Sequence, residues 1–196
     1  MAHLLSPAAF SILTWNLYFA PYQWANRMRH ILAECERLQP DVLCFQEVLP
    51  PFLALLQEEG KATSTSSFTT DDNDSTRNQS WLARNHYVSS TLDPRAVAPY
   101  GVLTLAKRKY RPRFQSLDLP SRMGRRLLLT HVENGGRGIE GGKGEGKGGD
   151  CWTIGNVHLE SLDSAALRVG QLRKASVILS VEEERKKHVV LCGDFK

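Results

Sequence analysis

The chain has no apolar run near the roughly 18 residues that a membrane-spanning helix requires, so a helical membrane protein is not expected. It also lacks a cationic, apolar and cleavable opening segment, and MAHLLSPAAF reads as neither a signal peptide nor an anchor. Cysteine is scarce, with 4 in 196 residues, and Cys44 and Cys192 sit inside the apolar runs DVLCF and HVVLC, where a small hydrophobe serves. Cys35 falls in a helical pattern and Cys151 follows a glycine-rich stretch. Reduced thiols in an intracellular compartment, nucleus or cytoplasm, are therefore expected rather than a disulfide scaffold. Nor is charge of one sign in large excess. The 25 basic and 21 acidic residues leave a net charge of +4, which permits an anionic partner without naming one.

What is present suits one globular domain over residues 1–196, since 41% hydrophobic residues at this length can build a core. Ser11 to Trp15 (SILTW) favours a strand close to the N-terminus, which leaves little ahead of the domain. Trp24, Met28, Ile31, Leu32, Cys35 and Leu38 recur at helical spacing between Pro21 and Gln39. Pro40-Asp41 ends that helix, Val42 to Phe45 reads as a buried strand, and Pro50-Pro51 opens a second helix that closes near Gly60. Further strands are expected at His86 to Thr91, Gly101 to Ala106, Arg126 to Glu133 and Trp152 to Leu159, with a helix from Ser164 to Glu184. The Glu182/Lys186 and Glu183/Lys187 pairs read as a solvated helix end. His188 to Cys192 is the last apolar run.

Residues 61–80 and 135–150 read as flexible loop insertions, because Ser, Thr, Asp, Asn or Gly dominate them and little is left to bury. The second holds a decoy. Gly141 to Lys147 nearly satisfies the phosphate-cradling pattern GxxxxGK[ST], but Gly148 stands where the hydroxyl residue belongs and no helix pattern follows. Its few cations lack interleaved aromatics, so an RNA-binding glycine/arginine tract is a weak alternative to a plain connection.

Several apolar runs end in polar residues suited to phosphate or metal chemistry: SILTW in Asn16, DVLCF in Gln46-Glu47, WTIGNV in His158 and HVVLCG in Asp194. Phosphodiester hydrolysis needs a hard cation on oxygen ligands, a group that activates water, and donors for the charge that develops on phosphorus. Glu47, Asp194, Asn16 and His158 supply those types. Each alone has an ordinary reading as a turn residue, a helix-proximal charge, a satisfied polar group or an N-cap.

In order along the chain stand TWN (Thr14 to Asn16), LCFQEV (Leu43 to Val48), NVHLES (Asn156 to Ser161) and GDF (Gly193 to Phe195). In these the chain resembles the endonuclease/exonuclease/phosphatase superfamily. HLES followed by Arg168 and Gln171-Leu172, with QEVLPP and Pro120 to Arg125 (PSRMGR), is most similar to its tyrosyl-DNA phosphodiesterase 2 branch, which removes 5′-tyrosyl adducts from DNA ends. The resemblance implies an α/β sandwich of two facing, mostly antiparallel sheets with helices on the outer faces, lacking the family's last strands. It implies a phosphodiesterase using Mg²⁺, or Mn²⁺ in its place, on a phosphodiester substrate, DNA first of all. Glu47 would bind the metal, Asn16 would position phosphate and water, and Asp194 would activate the water. His158, Ser161 and Arg125 would hold phosphate oxygens. RNA, abasic DNA, and lipid or inositol phosphates remain open as substrates, because the core motifs report chemistry more than substrate.

The family's GDxN reads GDFK here, with Lys196 in place of asparagine, and its closing segment with an S-D-H-like motif does not follow. An ammonium cannot accept a hydrogen bond as an amide carbonyl does. Impaired turnover is therefore expected, and a non-catalytic remnant that binds nucleic acid or a protein is the competing expectation.

Overall fold

The computed structural model describes residues 10–58, 80–133, 151–184 and 188–195. The predicted insertion 135–150, all of 61–80 except Ser80, and Lys186, Lys187 and Lys196 lie outside them.

Two four-stranded sheets face each other. The first contains β1 (Ile12–Asn16), β2 (Val42–Val48), β3 (Tyr87–Ser89) and β4 (Gly101–Lys107), in the order β1-β2-β4-β3. The second contains β5 (Arg113–Asp118), β6 (Arg126–Glu133), β7 (Cys151–His158) and β8 (His188–Asp194), in sequence order. Helices α1 (Trp24–Leu38), α2 (Pro50–Glu58) and the short α3 (Trp81–Arg84) cover the outer face of the first sheet. Helix α4 (Ala165–Glu184) covers the second.

Alternation along β2 explains its unbroken apolar run. Leu43 and Phe45 pack under Met28, Leu32 and Phe52, while Val42 and Cys44 meet Ile154 and Cys192 between the sheets. A strand buried on both faces needs no polar alternation. Asn156 is the polar exception in the middle layer: its amide donates to the Phe45 and Leu103 carbonyls at 3.2 and 3.0 Å and accepts from Gln46 at 2.8 Å, tying the sheets together.

The expected sandwich and its outer helices are present, and antiparallel pairs predominate. Two parallel pairs, β1 with β2 and β7 with β8, are the departure that matters. Their registers set Asn16 beside Gln46 and His158 beside Asp194, so four strands from both sheets finish at one rim. Parallel neighbours run the same way, and their C-terminal residues therefore share an edge.

Smaller differences have local causes. Strand β5 escapes the sequence pattern because its two apolar residues, Phe114 and Leu117, do not alternate, and it is a half-exposed outer strand. The solvated helix end is corrected at Glu182, which is buried and accepts a hydrogen bond from Thr153 at 3.4 Å. It continues the inward face of Gln171, Ala175 and Leu179 at helical spacing. The cysteines are free thiols.

Candidate active site at the strand-end rim

Asn16 ends β1 and its amide nitrogen donates to two carboxylates, Glu47 Oε1 at 2.9 Å and Asp194 Oδ2 at 2.6 Å. Its own carbonyl oxygen accepts the Tyr18 backbone N–H at 2.8 Å, and the Phe19 N–H donates to Glu47 Oε2 at 2.9 Å. The turn supplying those amides is held by Arg27, whose guanidinium donates to the carbonyls of Tyr18, Ala20 and Tyr22.

Two backbone features bring the carboxylates together. The register of β2 slips between Phe45 and Val48, and Glu47 there has φ +55°, a left-handed conformation costing on the order of 1–2 kcal/mol in a non-glycine residue. Gly193 has φ +142°, and a Cβ on it would stand 1.9 Å from the Val157 carbonyl oxygen. Only glycine lets β8 approach β7 closely enough to deliver Asp194.

Ligand atoms of Glu47, His158 and Asp194 all lie within 4.8 Å of one another, with His158 Nε2 3.8 Å from Glu47 Oε1. His158 is 6% exposed. Burial first, then the Arg125 charge, push its pKa down against the opposing pull of Glu47 and Asp194. Its Nδ1 lies 2.9 Å from an Arg125 nitrogen. A guanidinium only donates, so Nδ1 accepts and the neutral ring carries its proton on Nε2, toward the carboxylates.

Arg125 is 5% exposed, a buried charge rather than a solvated one. Besides His158, it donates to Ser161 Oγ at 3.1 Å and lies 5.1 Å over the Tyr100 ring, which stacks on Phe19. Its Nε is buried without a partner. All six predicted residues, Asn16, Glu47, Arg125, His158, Ser161 and Asp194, thus fall into one connected group.

Sequence reasoning missed the residues that set this group. Tyr100 and Arg27 carried no motif signal. Glu160 and Ser121 were within quoted motifs, HLES and PSRMGR, yet only the fold reveals that they bond each other, Ser121 Oγ donating to Glu160 at 2.6 Å. Burial would raise the Glu160 pKa, but donors from Ser121, the Arg122 N–H and Gln171, with the Arg125 charge, hold it below the ordinary carboxylate value.

Two cavities flank the cluster. One of about 520 Å³ runs from His158 and Arg125 between Tyr100, Pro99, Val102 and Leu128. The other, about 570 Å³, is lined by Thr14, Asn16, Gln46, Gly193, Asp194 and Phe195.

Residues 13–195 match the profile of the Endonuclease/Exonuclease/phosphatase family. The chain belongs to that family. A comparison with curated protein sequences finds no match. Among solved structures, the family chain is similar to D. rerio TDP2 complexed with single strand DNA product, at 19% identity over 95% of this chain and 60% of that one, TM-score 0.58. It is similar to TDP2 from C. elegans at 17% identity over 95% and 47%, TM-score 0.63. The human Nocturnin catalytic domain with bound sulfate anion aligns at 18% identity over 95% and 63%, TM-score 0.56. The chain spans less than two thirds of each, and at these identities the likeness is one of fold.

A divalent cation suits the donor set of this endonuclease/exonuclease/phosphatase member. Two carboxylates converge with an amide and a neutral imidazole, and the partners of Glu47 are Asn16, the Phe19 N–H and His158, none with a fixed positive charge. Carboxylate oxygens in acidic surroundings of this kind are donors that suit a hard divalent cation.

Proposed function

We propose that the chain carries the chemistry of a Mg²⁺-dependent phosphodiesterase acting on DNA ends inside the cell, with a 5′-tyrosyl phosphodiester as the preferred substrate. The observation that carries the reading is the convergence of Glu47 and Asp194 on the Asn16 amide, opposite the His158–Arg125 pair. Acidic groups lie on one side and phosphate donors on the other, as hydrolysis of an anionic ester requires.

In this reading Glu47, with Asp194 beside it, holds the metal, and the bound ion supplies charge neutralisation at the phosphate. Asp194 accepts a proton from the attacking water as the new P–O bond forms, and Asn16 fixes that carboxylate by its short hydrogen bond. His158 donates Nε2–H to a phosphoryl oxygen. Arg125 and Ser161 hold the same phosphate, for which the guanidinium fork is suited. The bond to the departing oxygen breaks, and a tyrosyl group leaves as its phenol or phenolate. The cavity beside Arg125 is wide enough for an aromatic substituent on the phosphate.

The test is release of tyrosine from a 5′-phosphotyrosyl oligonucleotide, alongside polyadenylated RNA, abasic DNA and an inositol phosphate. Mg²⁺-dependent release that disappears in Asp194→Asn supports the reading. Turnover confined to another substrate would replace the substrate assignment. Nucleic-acid binding without turnover of any of them would favour the non-catalytic remnant.

A further inference from the structure

Glu160 lies just after β7, is 1% exposed and is not a member of the Glu47–His158–Asp194 cluster. Its carboxylate accepts from Ser121 Oγ at 2.6 Å, the Arg122 N–H at 3.0 Å and Gln171 Nε2 at 3.3 Å. Ser121 Oγ in turn accepts the N–H groups of Met123 and Arg125, each at 2.9 Å. Gln171, from α4, also takes the Glu160 N–H at 2.8 Å and donates to the Pro120 carbonyl at 2.8 Å. Arg168 donates to the carbonyls of Glu160 and Leu162, on either side of Ser161.

Every one of these bonds ends on the turn that carries Arg125 or on the segment that carries Ser161. A carboxylate taken out of water is costly unless donors reach it, and three do here. The partners of Arg125 are His158, Ser161, Tyr100 and the Met123 sulfur, and none is a carboxylate. A direct ion pair would neutralise the guanidinium charge that a phosphate needs. Glu160 instead reaches Arg125 through Ser121, whose Oγ donates to the carboxylate and accepts the Arg125 backbone N–H.

We propose that Glu160 is a positioning residue: by way of Ser121 and the Arg122 amide it holds the 120–125 turn so that the buried Arg125 keeps its positive charge, paired with no carboxylate, beside His158 and Ser161 for a phosphate. This rests on the phosphodiesterase reading above. It assigns a role to the glutamate of HLES distinct from those of His158 and Ser161.

The test titrates the full chain with inorganic phosphate in the presence of Mg²⁺, using calorimetry on wild type, Glu160→Gln, Arg125→Ala, the double variant and Ser121→Ala. Glu160→Gln is expected to weaken phosphate binding by about ten-fold, and the double variant to bind no more weakly than Arg125→Ala alone, the signature of coupled groups. Ser121→Ala should act in the same direction as Glu160→Gln. Equal affinity in wild type and folded Glu160→Gln, or a full additional loss in the Arg125→Ala background, overturns the proposal and leaves Glu160 a stitch between the turn and α4. Should Glu160→Gln fail to fold, unchanged affinity in Ser121→Ala overturns it. If wild type itself does not bind phosphate, the phosphodiesterase reading falls and this proposal with it.

Discussion

Strand β2 is flanked by two carboxylates, Asp41 before its first residue and Glu47 near its last, roughly 20 Å apart at extended spacing. Asp41 is 6% exposed and saturated. It accepts from Ser11 N and Oγ, each at 3.0 Å, from the Tyr110 hydroxyl at 2.8 Å and from Lys107 at 3.2 Å, with Lys109 at 3.6 Å. Glu47 receives an amide and a backbone N–H and stands close to a second carboxylate and a neutral imidazole. The Asp41 end is closed and holds strands together. The Glu47 end concentrates negative charge against amide donors and a neutral imidazole, an arrangement that a cation completes. Comparable burial with opposite charge balance separates a saturated carboxylate from the one proposed to hold the metal.

The largest expected effect breaks the Glu47 end. Asp194→Asn should lower Mg²⁺-dependent turnover by about 10²- to 10⁴-fold, the usual worth of a positioned acid–base group, while the melting temperature stays level or rises because like charges are thinned. Steady-state kinetics and thermal unfolding on the same preparation check both. At the other end the ranking reverses. Asp41→Ala leaves Tyr110, Ser11 and Lys107 without their acceptor and should cost on the order of 3 kcal/mol in denaturant unfolding, with turnover per folded molecule unchanged.

Acid should separate the ends as well. Burial would raise the Asp41 pKa, but the Tyr110 hydroxyl, Ser11 and Lys107 hold it below the ordinary 3.8. The stability it contributes is therefore complete above about pH 3.8 and lost as pH falls through its lowered value. His158 is depressed below 6.5, so the unfolded chain takes up the proton first, and stability starts to fall as pH drops below about 6.5. In metal-free unfolding titrations, His158→Asn should flatten the upper phase and Asp41→Asn the lower. The smallest effect belongs to Lys109, whose side chain is 62% exposed at 3.6 Å from Asp41. Lys109→Ala should change stability by less than about 1 kcal/mol, as exposed pairs do.

Only the Glu47 side of this contrast was within reach of the sequence, where Asp41 reads as no more than part of a helix stop. Met28, Ile31, Leu32 and Cys35 betray α1 because a helix repeats its buried face every three to four residues. Asn16, Glu47, His158 and Asp194 were visible as polar residues closing apolar runs, and their order carried the family. Their convergence was not visible. It depends on two parallel registers, on the slipped register at Glu47 and on a glycine at position 193 that admits β8 beside β7, all of which join residues distant in sequence. The Ser121–Glu160 clamp and the Tyr100 ring were hidden for the same reason, since neither contact has a local signature. Glu182 misled because a charge near a helix end reads as solvated unless the partner face across α4 is known.

Divalent-cation binding tests the contrast at its root. Calorimetric titration of Mn²⁺ into the full chain should show one site in wild type, the same site in Asp41→Asn, and loss of that binding in Glu47→Gln. Equal Mn²⁺ binding by wild type and Glu47→Gln would contradict the account, because the charge gathered at that end of β2 would then not be what holds the cation.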